Sequence, residues 1–206
     1  RHWLGLWRDE LRPDGGLPHT APCPYKAGGG PVWCGFPITA AWKHYLHYGD
    51  IEVVRQQYAA AEKWFDYVST YTDANGLLQR WPNQNYRNWF LGDWLPPERI
   101  DPQYPDSVSV VVNCFIVQCH QRMASMARIL GKRPEYRQHQ DAMRRKQQAL
   151  HEHLFDKVQY TYADGDQVDL AYPLLVDAVP ADVRPGVLQK LEERIRFADP
   201  PRLETG

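Results

Sequence analysis

The chain has 206 residues, 43% of them hydrophobic and 24% charged; this is the size and composition of one globular domain, which excludes a disordered tail and a small disulfide-stapled peptide. Lys and Arg number 24 against 25 for Asp and Glu, a net charge of -1, so no basic excess points to a nucleic-acid partner. No apolar run approaches the ~18 residues needed to cross a bilayer; Val108 to Val112 is short and is followed by Asn113, and the expectation is a soluble protein.

Taken in chain order, Trp3, Leu4, Trp7 and Leu11 recur at helical spacing before Arg12-Pro13-Asp14-Gly15-Gly16 breaks the pattern. Leu17 to Val32 carries four prolines and the run Gly28-Gly29-Gly30, and reads as a first long loop, the run itself as slack. A helix follows from about Pro37, with Ile38, Ala41, Trp42, Tyr45 and Leu46 on one face and Gly49 as its cap. Asp50 is placed to cap a second helix to about Ser69, whose apolar face holds Val54, Tyr58, Ala61, Trp64, Phe65 and Val68. Residues 72 to 105 form a second long loop, rich in proline and aromatic residues. A helix from about Ser107 to Leu130 repeats Val112, Phe115, Cys119, Met123 and Met126, and Gly131 ends it. Pro134 opens another, to about Phe155. Tyr160 to Tyr162 suggests a short extended segment, Asp164-Gly165 a turn, and two more helices span about Val168 to Val179 and Asp182 to Ile195. The fold class is therefore all-α, an array of antiparallel helical hairpins with long aromatic loops and no fixed-period repeat.

Several motifs have ordinary readings. The glycine run lacks the Lys-Ser or Lys-Thr of a phosphate cradle. Asp164, Asp166 and Asp169 depart from a calcium loop at its glycine and its final Glu, and read as a turn with a helix cap. His44 with His47, and His151 with His153, lack a third ligand, so no metal or other cofactor is expected. Cys23, Cys34, Cys114 and Cys119 read as free thiols, because the last two point about 140° apart on a helix; such cysteines leave the compartment open, a periplasmic or secreted parent included.

The densest constellation is Trp89-Phe90-Leu91-Gly92-Asp93-Trp94, together with Pro31-Val32-Trp33-Cys34-Gly35. Indole faces pack against the apolar faces of sugar rings, and a neighbouring carboxylate accepts hydrogen bonds from hydroxyls. The eight tryptophans and twelve tyrosines of the chain favour such a site. The same residues could instead fill the core between helix ends, with Asp93 as a cap.

The order of motifs resembles the catalytic domain of bacterial α-L-rhamnosidases, glycoside hydrolase family 78. The collinear pieces are Asp14-Gly15-Gly16-Leu17-Pro18, Gly30-Pro31-Val32-Trp33-Cys34-Gly35, Tyr45-Leu46-His47-Tyr48-Gly49-Asp50 and Leu91-Gly92-Asp93-Trp94-Leu95. Met123 to Lys132, Asp166 to Tyr172 and Leu203-Glu204-Thr205-Gly206 complete the series. The resemblance implies part of an (α/α)6 barrel, residues 1 to 206 being an incomplete catalytic domain of a larger polypeptide. It implies hydrolysis of terminal α-L-rhamnosyl residues with inversion, a carbohydrate substrate, and Trp33, Asp93 and Trp94 as substrate-binding residues. The family's acid and base fall in segments outside this chain, so Glu10, Glu98 and Asp106 are not assigned to catalysis. Where the family reads Trp-Gly-Asp-Ala, this chain reads Trp33-Cys34-Gly35-Phe36, a departure on the aglycone side. Another (α/α)6 glycosidase and a non-catalytic carbohydrate-binding homologue remain as alternative readings.

Overall fold

The computed structural model describes residues 2–25, 27–81, 87–93, 105–198 and 200–204, with the backbone alone at 87–88 and 105–108. Among the described residues eight helices run α1 (His2–Asp9), α2 (Pro31–Cys34), α3 (Phe36–Tyr48), α4 (Ile51–Thr70), α5 (Pro105–Ile129), α6 (Arg133–Leu154), α7 (Gln167–Leu175) and α8 (Arg184–Arg196). Four two-residue strands accompany them: β1 (Ala27–Gly28), β2 (Arg87–Asn88), β3 (Phe155–Asp156) and β4 (Thr161–Tyr162). The all-α expectation holds; β4 falls within the extended segment expected at Tyr160 to Tyr162, while the other three strands are too short for an alternating pattern to register.

The three hairpins α3–α4, α5–α6 and α7–α8 lie side by side. Helix α5 packs against both α3 and α7, and each of the three is backed by the second helix of its own pair. Short turns join each pair at one end: Gly49 in the left-handed conformation with Asp50, then residues 130–132, then 176–183. Helix α2, directly before α3, packs against both α3 and α5 at the opposite end.

Helix ends follow local chemistry. Asp50 accepts the Glu52 amide as expected, and Pro134 starts α6, where its missing N–H costs nothing. Asp166 holds the cap position of α7 without a capping bond; its carboxylate pairs with Arg194 at 2.8 Å. That helix stops at Leu175, before the expected Val179, and Asp177 takes φ 54° just beyond it.

Burial corrects the single-face readings. In α3 the expected apolar face breaks down toward its end, Leu46 being exposed. In α5, Val110, Val111, Val112, Cys114, Phe115, Ile116 and Val117 are all buried, so this stretch is enclosed on every side, whereas the second half keeps a buried face of Cys119, Met123 and Met126 with Arg128 exposed. The helix separates two apolar clusters. One gathers α3, α4 and one side of α5 around Trp64 and Ile116. The other lies between α5, α6, α7 and α8 around Leu150, Leu170 and Tyr162. All four cysteines are free, Cys23 alone partly exposed; burial pushes the Cys34 thiol up to about 12 and holds Cys114 and Cys119 well above their ordinary range.

Polar links also cross the helical layers. Gln57 donates to the Leu4 carbonyl at 2.6 Å, fixing α1 on α4. Glu62 of α4, His139 of α6 and His120 of α5 form a chain, with 3.1 Å between Glu62 and His139 and 3.0 Å between the two imidazoles. His120 stacks on Phe65.

Candidate functional site

The two long loops are joined directly. β1 and β2 pair in parallel, Ala27 opposite Arg87 and Gly28 opposite Asn88. The ladder continues as Trp89 N–H donates to the Gly28 carbonyl at 2.9 Å and Leu91 N–H to the Gly29 carbonyl at 3.3 Å. The glycine run is therefore not slack. Gly30 takes φ 84°, and a Cβ there would lie 3.0 Å from the Leu91 amide nitrogen and 3.3 Å from the Phe90 Cα; only glycine allows both the conformation and the approach. At Gly29 the corresponding atom would come within 2.9 Å of the Trp33 Cβ.

This crossing fixes the candidate residues. Trp33 lies on α2, partly buried, directly after the ladder and against Gly29. Asp93 is partly buried at the end of the paired segment, two residues past Leu91. The fold thus brings the Trp33 loop and the Trp89–Asp93 segment to one place at the loop end of the hairpins. Trp94 lies outside the described residues, as do Glu98 and the side chain of Asp106. Glu10 accepts the Cys23 amide at 3.2 Å and serves to hold the first loop.

Two neighbours joined the constellation only through folding. His19 packs edge-on to Trp89, ring centroids 5.2 Å apart, and its Nδ1 meets the Ala27 carbonyl at 2.8 Å. A lone histidine in a proline-rich loop carries no periodic signal, so nothing in the sequence singled it out. Trp89 was within the noted motif, but its placement over His19 depends on the ladder. Phe90 faces the other way into the core, edge-on to Trp81 at 5.1 Å. The segment therefore alternates, with Trp89 toward His19 and Phe90 toward the helices.

The remaining motif pieces are structural. Asp14 accepts the Gly16 amide at 3.0 Å, and Gly15, at φ 87°, lies against the α4 backbone at Lys63. Gln167 spans to the closing segment, donating to the Arg202 carbonyl and accepting the Glu204 amide. Arg194 lies between Asp166 and Glu204, at 2.8 and 3.5 Å. Arg194 and Glu204 border a separate open cleft of about 520 Å³. Among the described residues no group of three or more His, Cys, Asp or Glu side chains could hold a metal ion, and no helix is long and apolar enough to cross a membrane. His44 pairs with Asp50 at 3.4 Å and His151 with the Tyr162 hydroxyl at 3.0 Å, in line with structural roles.

Comparison with known proteins gives a consistent picture. The family model described as the bacterial alpha-L-rhamnosidase 6 hairpin glycosidase domain matches residues 1–206. An alpha-L-rhamnosidase of Streptomyces avermitilis is 29% identical over 131 residues, which is 63% of this chain and 11% of that protein. Among solved structures, the alpha-L-rhamnosidase of Dictyoglumus thermophilum superposes with a TM-score of 0.85 at 24% identity, covering 99% of this chain and 22% of its own. That of Streptomyces avermitilis complexed with L-rhamnose gives 0.83 at 24% identity, over 99% of this chain and 18% of its own. The chain therefore spans a small fraction of the length of the proteins it matches.

Proposed function

We propose, from the premise that this chain belongs to the bacterial alpha-L-rhamnosidase six-hairpin glycosidase family, that it is part of the catalytic domain of an α-L-rhamnosidase. The parent polypeptide hydrolyses terminal α-L-rhamnosyl residues of polysaccharides or plant glycosides with inversion. The observation that carries this reading is the ladder between the two long loops, which gathers Trp33, Trp89 and Asp93 at one end of the helical array.

The chemistry assigned to these residues is recognition. By the family resemblance, Trp33 and Trp94 are assigned to the walls of the pocket, their indoles taking the apolar faces of the sugar ring. Asp93 accepts a hydroxyl hydrogen bond or orients Trp94 beside it. Inversion needs a carboxylic acid to protonate the leaving oxygen and a carboxylate about 6.5–9.5 Å away to activate water on the opposite face. No carboxylate of this chain is assigned either role; both belong to segments before and after residues 1–206.

A panel of p-nitrophenyl glycosides offered to the parent polypeptide tests the proposal. Cleavage of the α-L-rhamnoside alone is expected. Cleavage of a different glycoside instead would make the parent another six-hairpin glycosidase, and binding of rhamnose without cleavage would make it a carbohydrate-binding homologue.

A further inference from the structure

Buried polar groups tie the second loop to the scaffold at a point well before its sugar-facing residues. Asn113, fully buried in α5, accepts the Leu78 amide at 2.8 Å and donates to the Leu78 carbonyl at 3.3 Å and the Ser109 carbonyl at 2.9 Å. Lys146, on α6 and only 7% exposed, donates from Nζ to the Gly76 carbonyl and, at 3.3 Å, to Asn113 Oδ1. Two helices thus grip Gly76 and Leu78, on either side of Leu77, in the turn that follows α4. Asp73 completes the turn by accepting the Asn75 and Leu77 amides.

The grip is transmitted onward by packing. Trp81, 2% exposed, lies against Tyr67 and Tyr71 of the scaffold side and edge-on to Phe90. Phe90 stands between Trp89 and Leu91, the residues that hydrogen-bond to Gly28 and Gly29. A shift at Gly76–Leu78 therefore moves Trp81, then Phe90, then the segment that ends in Asp93.

We propose that Lys146, acting through Asn113 and the Gly76 carbonyl, is a positioning residue that sets the second loop for sugar binding, a role that rests on the rhamnosidase reading above. An ammonium in this setting is costly for folding alone. Burial pushes its pKa down to about 8, and an apolar chain of the same length would fill the space without that cost. Retaining the charge makes sense where two carbonyl-type oxygens on different elements must be held at once, since charge-assisted bonds are the stronger kind.

The test is Lys146→Met in the parent polypeptide, beside Arg144→Ala on the exposed face of the same helix as a control. For Lys146→Met the KM for p-nitrophenyl α-L-rhamnoside should rise about tenfold, as expected for a modest displacement of binding groups. The kcat should stay within about twofold and the melting temperature should not fall by more than about 4 °C. Hydrogen exchange at Leu77 and Leu78 should accelerate, and Arg144→Ala should change none of these quantities. An unchanged KM, or a KM rise that only accompanies loss of folded protein, overturns the positioning role. If the unsubstituted polypeptide cleaves no rhamnoside, the functional reading fails and the positioning role with it, while unchanged exchange at Leu77 and Leu78 would separately refute the clamp.

Discussion

The α5–α6 hairpin and the junction of the two long loops are held in opposite ways. The hairpin is closed mainly by apolar contacts, with Cys114, Val117, Met143, Ala149 and Leu150 contributing to one cluster and Phe115, Cys119 and Met126 to the other, and the His120–His139 and Lys146–Asn113 contacts set among them. Each contact is one among many, and removal of any one leaves the rest in register. The loop junction has two two-residue strands, two further backbone bonds at 2.9 and 3.3 Å, and a glycine at φ 84° that lets the chains touch. Stability is therefore distributed over the scaffold, whereas the geometry of the loop junction depends on a few contacts. Substitutions in the two regions should separate stability from activity.

The largest loss of stability is expected in the scaffold. Leu150→Ala removes a fully buried side chain of the second cluster and should cost about 2–5 kcal/mol in denaturant unfolding of the parent, while kcat/KM per folded molecule stays within about twofold; a collapse of activity in molecules that remain folded would break the comparison. Gly30→Val should show the reverse balance. Its left-handed backbone and the 3.0 Å approach to Leu91 forbid a branched side chain, so kcat/KM should drop about a hundredfold for a stability cost of about 1–3 kcal/mol.

The Glu62–His139–His120 chain sharpens the scaffold side through pH. Burial, with His139, Lys146 and Arg145 nearby, holds the His120 pKa well below its usual value. The unfolded chain then binds more protons below pH about 6.5, so this contribution is complete above that pH and is lost as pH falls. Burial raises the Glu62 carboxyl, but the hydrogen bond and charge of His139 outweigh it and leave the pKa lowered; its contribution is lost only further into acid. Melting temperatures should thus decline in two stages, and His120→Gln should shrink the upper one, leaving the smaller part due to His151, whose pKa burial also lowers. A single decline confined below pH 4.5 would contradict this reading. The smallest effect is at a helix end. Asp50→Ala removes the side-chain acceptor for the Glu52 amide and should cost about 1 kcal/mol, read as a small shift in the denaturant midpoint without change in KM.

Sequence pattern revealed the scaffold because its information is local. Helix faces, the Gly49 and Asp50 caps and the Pro134 start each depend on residues within a few positions of one another. The same locality explains what stayed hidden. The glycine run was read as slack because its partners, Trp89 and Leu91, lie some sixty residues on. Asn113 interrupts a valine-rich helix, a visible sign of a buried polar group, yet its partner Leu78 is 35 positions away. The Glu62–His139 bond spans 77 positions. For the candidate site, the motifs singled out Trp33 and Asp93 by type and order, but the neighbourhood that includes His19 arises only when β1 meets β2.

The central claim is that the joined loops form the sugar-binding end of a rhamnosidase domain. Its most direct test is calorimetric titration of L-rhamnose into the parent polypeptide and into its Trp33→Ala variant, with thermal melting recorded for both. We expect binding by the unsubstituted protein, a loss of at least about tenfold in affinity for the variant, and a melting temperature changed by no more than about 4 °C. Equal affinity in the two proteins would contradict the claim and place the sugar away from the junction of the two loops.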